Sequence, residues 1–129
     1  MSNYLADTTV LIDHLRGKEG AVAFLEEFSP YISVVTIAEL IQGSKDKRNQ
    51  ALVVKLCTTL PQLIIDKKIS NTAIELMKKF YLSKGLRYLD ALIGATALEN
   101  KLNLVTGNLK HFIFIEGLTD ISQNDVLKD

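Results

Sequence analysis

The stretch NYLADTTVLIDHL, residues 3–15, determines how the fold begins. Residues 3–6 form a short apolar run that stops at Asp7, which predicts a β-strand ending at an acidic corner. The apolar residues that follow have the spacing of one helix face, and Thr8 or Thr9 is suited to cap that helix. The stretch therefore predicts a strand, a carboxylate and a helix in direct succession.

The same alternation of apolar runs and helical periodicity continues along the chain. Further strands are predicted at residues 31–35, 63–65 and 103–105. Further helices are predicted at residues 19–28, 36–43, 52–60, 70–84 and 88–98. A capping-box pattern places one helix start at Thr36, and Ser70 or Asn71 is suited to cap the long helix.

Strands that alternate with helices predict an α/β fold. In such a fold a central, mainly parallel sheet lies between two layers of helices, and ligands collect beyond the carboxyl ends of the strands. The chain has 129 residues, and neither an internal repeat nor a linker interrupts it. We therefore expect a single domain over residues 1–129.

Composition narrows the class of protein. Hydrophobic residues make up 47% of the chain, enough for a sizeable core, and the 15 basic residues balance the 15 acidic ones. Formal neutrality argues against a non-specific duplex DNA binder. Cys57 is the only cysteine, and neither a signal peptide nor a membrane-spanning run is apparent. These features predict a cytoplasmic protein without disulfides and without a membrane partner.

Asp7 and Glu39 are the first two candidate site residues. Asp7 follows a predicted strand, and Glu39 lies in the first turn of the helix that follows the next strand. Both should therefore lie at the carboxyl edge of the sheet. Each has a structural alternative, because Asp is common in turns and N-caps and Glu39 could complete the capping box.

Asp90 is the most informative carboxylate, because it is the only charged residue of YLDALIGATAL, residues 88–98. A helix that is apolar on all sides is normally buried, so an unpartnered carboxylate in it is costly. Asp90 must cap the helix, pair with Arg87 or coordinate a cation. Gly94, one turn later, is expected to leave space beside the carboxylate.

Three carboxylates at one sheet edge would repel each other unless a cation lies between them. Hard oxygen ligands suit Mg²⁺ or Mn²⁺, which use few protein carboxylates and keep several waters. Such an ion polarises a phosphoryl oxygen and activates water. The predicted reaction class is therefore phosphodiester hydrolysis.

Four sequence blocks, taken in order, resemble those of PIN-domain ribonucleases, and most closely the VapC-type toxins of type II toxin–antitoxin pairs. The blocks are LADTTVLID at 5–13, SVVTIAELIQG at 33–43, LDALIGATAL at 89–98 and LVTGNLKHF at 104–112. The resemblance implies a PIN-like three-layer α/β/α fold and an endoribonuclease that hydrolyses RNA with Mg²⁺ or Mn²⁺. It also implies a homodimer and a cognate antitoxin that blocks the pocket.

The resemblance also implies specific site residues. Asp7, Glu39 and Asp90 are expected to bind metal and act in catalysis, with Asn108 as a fourth catalytic residue. Thr8 and Thr106 are expected to support the same pocket. The fourth block departs from the family pattern, because relatives often carry an acidic residue at position 108 or shortly after it. One fewer negative charge should weaken or abolish binding of a second metal ion.

Other polar residues have both structural and functional interpretations. His111, in the fourth block, could be a ligand, an RNA contact or a surface residue. His14 is expected to be structural or exposed, and Asp13 to form a salt bridge on the helix surface. Several basic residues could border an RNA path or be ordinary solvated charges: Lys45, Lys47, Arg48, Lys67, Lys68, Lys78, Lys79, Lys101 and Lys110.

Two alternatives to a ribonuclease remain open. One is a catalytically weak or inactive PIN-like binding module that acts through an antitoxin complex on promoter DNA, which the missing fourth acidic residue favours. The other is a phosphoacceptor receiver domain that uses Asp66, although the chain lacks an acidic pair beside Asp7.

Overall fold

A computed structural model describes residues 2–122 of the chain. The amino-terminal half runs β1 Tyr4–Ala6, α1 Thr8–Leu15, α2 Glu19–Phe28, β2 Ile32–Ser33, α3 Val34–Gln42 and α4 Lys47–Thr58. The remainder runs β3 Gln62–Leu63, α5 Lys67–Lys84, α6 Tyr88–Asn100, β4 Asn103–Thr106, a 3₁₀ turn at Leu109–His111 and β5 Asp120–Ser122. The predicted domain, residues 1–129, thus includes eight residues outside the described part.

The strands are all parallel. The pairs β1–β4 and β4–β5 form one ladder, and β2 pairs with β3. A bridge between Leu5 and Tyr31 joins the two ladders, because Ala6 N donates to Tyr31 O and Tyr31 N donates to Tyr4 O, each at 2.9 Å. The resulting order is β3-β2-β1-β4-β5, in which the direction of winding reverses between β1 and β4.

Helices cover both faces of this sheet. Successive side chains of a strand point to opposite faces, so Leu5 and Leu104 pack into a core with α5 and α6. Their neighbours Ala6 and Val105 pack into a second core with α1, α2 and α4. The predicted three-layer α/β/α fold with a parallel sheet is confirmed. Within residues 2–122, no helix combines the length and the apolar character needed to cross a membrane.

Several predicted boundaries are wrong because an earlier residue caps the helix. Helix α3 begins at Val34, with Ser33 Oγ accepting from Val35 N at 3.0 Å, so Thr36 and Glu39 do not form a capping box. Helix α5 begins at Lys67 rather than near residue 70, because Asp66 Oδ1 accepts from Ile69 N at 2.8 Å. The carboxylate required by a receiver domain is therefore a helix cap.

Candidate active site

Asp7 lies where parallel α/β sheets bind ligands. It directly follows β1 at the point where winding reverses, and its backbone N–H donates to Val105 O of β4 at 3.0 Å. The residue is the N-cap of α1, a position predicted for Thr8 or Thr9, and it is only 4% exposed. Burial raises the pKa of the Asp7 carboxyl, and hydrogen bonds from Thr106 and Thr9 oppose that rise.

A network of hydroxyl groups orients the Asp7 carboxylate. Its Oδ1 accepts from Thr9 N at 3.0 Å and from the Thr9 hydroxyl, and its Oδ2 accepts from Thr106 Oγ1 at 2.6 Å. The same two hydroxyls accept from the loop after β4: Gly107 N donates to Thr9 Oγ1 at 2.8 Å and Asn108 N to Thr106 Oγ1 at 2.9 Å. The carboxylate is therefore held by the first turn of α1 and by the end of β4.

Glu39 reaches the same region from α3. Thr8 Oγ1 donates to Glu39 Oε1 at 2.7 Å and lies 3.1 Å from Thr36 Oγ1, which is fully buried. Because Glu39 is half-buried and six positions into α3, its side chain is oriented by Thr8 rather than by the helix terminus. Thr8 thus links a second carboxylate to the first turn of α1.

Asp90 is the third residue of α6, whose N-cap is Arg87, so Asp90 does not cap the helix. Its side chain is 26% exposed, and Oδ2 lies 3.5 Å from His111 Nδ1. Burial raises the pKa of the Asp90 carboxyl, His111 opposes the rise, the charge of Glu39 adds to it, and Arg87 opposes it. Asp90 and Glu39 are therefore close enough for their charges to interact.

Gly94 does not open space beside Asp90, contrary to expectation. A Cβ atom at Gly94 would lie 3.2 Å from Ile115 Cδ1 and 3.9 Å from Leu76 Cδ1. The glycine therefore allows α6 to pack closely on the core, and it contributes nothing to the surface of the site.

One open cavity of about 610 Å³ collects these groups, and we call it the central cavity. Asp7, Glu39, Asp90 and Asn108 all line it, together with Thr8 and His111. Thr106 lies behind Asp7 and is fully buried. Within residues 2–122, however, no three Asp, Glu, His or Cys side chains are grouped closely enough to hold a metal ion. The predicted acids share a cavity without forming a closed ligand cage.

The other polar residues considered in the sequence lie either at the central cavity or away from it. His111 lines the central cavity, whereas Asp13, whose side chain is 13% exposed, pairs with Lys18 at 3.2 Å, as expected for a salt-bridging residue. His14 is half-buried, and its Nδ1 has no hydrogen-bond partner among the described residues. Two of the lysines are paired on the surface, Lys68 with Glu99 at 3.5 Å and Lys78 with Glu75 at 3.0 Å.

Sequence reasoning did not identify two supporting residues. Thr9 was interpreted only as a cap, yet its hydroxyl joins Asp7 to Gly107. Thr36 was interpreted as the start of a helix, yet it is buried against Thr8. A hydroxyl residue two positions after a candidate carboxylate, or three positions before one in a helix, is the signal that could have indicated both.

Comparison with protein families decides the relationship. The model of the PIN domain family matches residues 4–113. The chain belongs to the PIN-domain family. Ribonuclease VapC10 of Mycobacterium tuberculosis is 34% identical over 119 residues, which cover 88% of this chain and 89% of that protein. Ribonuclease VapC19 of the same organism is 29% identical over 114 residues, covering 84% and 90%.

Solved structures of PIN-domain proteins agree with this assignment. The DNA-bound VapBC complex from Salmonella typhimurium contains a chain that superimposes with a TM-score of 0.84 at 26% identity, covering 95% of this chain and 99% of that one. A toxin–antitoxin complex from Klebsiella pneumoniae gives a TM-score of 0.78 at 29% identity, covering 93% and 97%. The receiver-domain alternative is therefore wrong.

Proposed function

We propose that this PIN-domain chain is a divalent-metal-dependent endoribonuclease and the toxin of a toxin–antitoxin pair. The observation that carries the proposal is the meeting of Asp7, Glu39 and Asp90 at one cavity where the sheet reverses. Relatives of this chain bear the name ribonuclease, and its fold matches chains of toxin–antitoxin complexes. We also propose that residues 1–129 form one PIN domain.

The donor chemistry of the central cavity fits Mg²⁺ or Mn²⁺. Carboxylate oxygens of Asp7, Glu39 and Asp90 would hold the ion, and the amide oxygen of Asn108 is available to a water bound to it. A bound ion of this kind supplies Lewis-acid polarisation of a phosphoryl oxygen and activation of water. Such ions keep several waters, so a loosely grouped donor set is compatible with binding.

The residues of the chain prepare this site for hydrolysis by water. The hydroxyls of Thr8 and Thr9 donate to Glu39 and Asp7 and thereby orient these two carboxylates. In the proposed reaction water attacks the phosphorus and gives up one proton as the new P–O bond forms. The bond to the leaving ribose oxygen breaks, and that oxygen takes up one proton. The acids and their threonine partners keep the attacking and leaving groups oriented.

The partners follow from the same proposal. We propose that a cognate antitoxin occupies the central cavity and that the free toxin is a homodimer. The binding-module alternative retains one specific support: His111 stands in the fourth block where relatives often carry an acid, and it lies beside Asp90. That alternative predicts weak hydrolysis or none, with function through an antitoxin complex on promoter DNA.

The deciding experiment measures cleavage of a labelled RNA in Mn²⁺ or Mg²⁺, with and without EDTA. We expect wild-type cleavage that EDTA abolishes, and a loss of at least about 100-fold in Asp7→Asn, comparable with removal of a major electrostatic contact. The matched control is Asp46→Asn, because Asp46 caps α4 by accepting from Asn49 N at 2.7 Å and asparagine caps equally well. Cleavage that survives EDTA and Asp7→Asn would contradict the mechanism, and absence of any cleavage would favour the binding module.

A further inference from the structure

Two smaller cavities adjoin the central cavity at different walls. One, of about 140 Å³, shares Arg87, Asp90 and His111 with it. The other, of about 400 Å³, shares Thr8 and Glu39 with it. The first adjoins the central cavity at its Asp90 wall and the second at its Glu39 wall, and we refer to the three adjoining cavities together as the depression.

The two outer cavities are basic. Lys84, Arg87 and Lys110 line the smaller one, and Arg16 and Lys45 line the larger one. All five side chains are exposed. Among residues 2–119, none of the five forms an ion pair within 4.0 Å. Their charges are therefore available to a ligand that lies across the depression.

The order of charge along the depression is basic, acidic, basic. Asp7 lines only the central cavity, and Glu39 and Asp90 lie on the walls that it shares with the two outer cavities. A ligand that matches this order must carry negative charge at both ends and bring a cation to its middle. A nucleic-acid strand does so, because every nucleotide carries a phosphate and the central one is bridged to the acids by a metal ion.

We propose that the three cavities form one path for a single RNA strand, held by Arg16 and Lys45 on one side of the cleaved bond and by Lys84, Arg87 and Lys110 on the other. This inference rests on the proposed function and adds the route of the substrate. A strand held on both sides of the reactive phosphate is cut internally, which accounts for endonucleolytic rather than terminal cleavage.

The wall of the central cavity favours a single strand over a duplex. Tyr88 lines this cavity and is 46% exposed, and the His111 side chain is 43% exposed beside Asp90. Exposed aromatic faces next to a basic groove stack unpaired bases, which a duplex keeps inside its own stack. The two rings therefore lie where bases next to the cleaved bond would be splayed apart.

The test measures RNA binding separately from cleavage. Fluorescence anisotropy of a short labelled single-stranded RNA is recorded over a range of salt concentrations with Mg²⁺ present, using Asp7→Asn as a common background that prevents turnover. Two double variants are compared on it, Lys84→Gln with Lys110→Gln, and Arg16→Gln with Lys45→Gln. Each pair should lower the slope of log affinity against log salt by about 1.4, and weaken binding roughly 25-fold at about 0.1 M salt.

A matched control removes the same charge elsewhere. Lys55 on α4 and Lys67 on α5 are exposed and line none of the three cavities. The double variant Lys55→Gln with Lys67→Gln should therefore keep the salt slope and the affinity of the background protein. Thermal unfolding of all variants should be unchanged, because each substitution is at an exposed position.

The possible outcomes distinguish a failure of the RNA path from a failure of the proposed ribonuclease function. If the wild-type protein cleaves RNA but both pairs of path variants bind RNA as tightly as the control pair, the proposed path is wrong and the proposed ribonuclease function still stands. A wild-type protein that cleaves no RNA overturns the ribonuclease itself. Equal weakening by the control pair likewise overturns the path. If the path variants weaken binding of a duplex RNA of the same sequence as much as binding of the single strand, the assignment to a single strand is overturned.

Discussion

Replacing Thr106 by valine tests whether the hydroxyl network supports the charge of Asp7. Valine keeps the β-branched shape but removes an oxygen that donates to Asp7 Oδ2 at 2.6 Å and accepts from Asn108 N at 2.9 Å. A hydrogen bond to a charged group contributes about 1.5–3 kcal/mol and a neutral one about 0.5–1.5 kcal/mol. With Asp7 ionised, we expect the metal-free protein to lose about 2–4 kcal/mol of stability.

The loss of stability caused by Thr106→Val should depend on pH, in a direction that follows from the pKa of Asp7. Burial already raises the pKa of folded Asp7 above its unfolded value, so ionisation of this carboxyl lowers stability as pH rises through the interval between the two. Removing the Thr106 donor raises the folded pKa further, because the donor favours the ionised form. The cost of Thr106→Val is therefore smallest below the unfolded pKa, where two neutral bonds worth together about 1–3 kcal/mol are lost, and largest above the folded pKa.

Thr96 provides a matched control for this substitution. It is fully buried like Thr106, but its Oγ1 donates to the neutral carbonyl of Leu92 at 2.7 Å within α6. Thr96→Val should cost about 0–1 kcal/mol at every pH, because no titrating group is involved. Urea unfolding followed by circular dichroism at about pH 4 and about pH 8 measures both variants. A Thr106→Val cost that is equal at the two pH values, or that Thr96→Val reproduces, would refute the reasoning.

The same variant carries a functional consequence. Partners that orient a metal-binding carboxylate typically contribute about 10–100-fold to metal affinity or activity. The Mn²⁺ concentration that gives half-maximal RNA cleavage should therefore rise by about 10–100-fold in Thr106→Val and stay unchanged in Thr96→Val.

Two further substitutions test other parts of the site. Thr8→Val removes the 2.7 Å bond to Glu39 and should lower RNA cleavage by about 10–100-fold. The control Thr72→Val removes a 2.8 Å Thr–Glu bond outside the central cavity and should leave cleavage unchanged. Equal cleavage rates for the two variants would contradict the role of Thr8. Gly94→Ala should leave cleavage unchanged and alter the unfolding free energy by less than about 1 kcal/mol, because the gain in helix propensity offsets crowding against Ile115 at 3.2 Å; a large loss of activity would show that Gly94 belongs to the site.

Local sequence patterns were sufficient to predict the strands and helices that carry the acids. An apolar run ending at Asp7, and an apolar helix interrupted only by Asp90, are signals contained within a few residues. Because parallel strands share a carboxyl edge, the positions of Asp7 and Glu39 after two successive strands also predict that these two side chains approach each other. The structure brings Asp7, Glu39 and Asp90 to one cavity, as this reasoning expects.

The helix starts were less predictable, because several polar residues compete for each cap. Thr36 and Glu39 match a capping box, but Ser33 lies three residues earlier and its hydroxyl already accepts from Val35 N. The strand β5 was missed for a different reason. It covers only Asp120–Ser122, which has no apolar run, and it forms by pairing with β4. Such pairing depends on distant residues that a local pattern does not record.

The family resemblance implied that Thr8 and Thr106 support the pocket, but the hydrogen bonds of the hydroxyl network could not be predicted, for a similar reason. Thr9 and Gly107 are 98 positions apart, and Asp7 and Thr106 are 99 apart. A threonine hydroxyl can donate to or accept from almost any nearby polar group, so its partner is decided by packing alone. The sequence therefore indicated the charged residues of the site more readily than the neutral ones that orient them.

The capping and site interpretations of Asp7 turn out to be compatible. Each carboxylate oxygen can accept about two hydrogen bonds. Oδ1 accepts from Thr9 N and from the Thr9 hydroxyl, and Oδ2 accepts from Thr106. The carboxylate that makes these bonds also lines the central cavity. The bonds that cap α1 also prevent the carboxylate from turning away, so helix capping and ligand binding favour the same residue at this position.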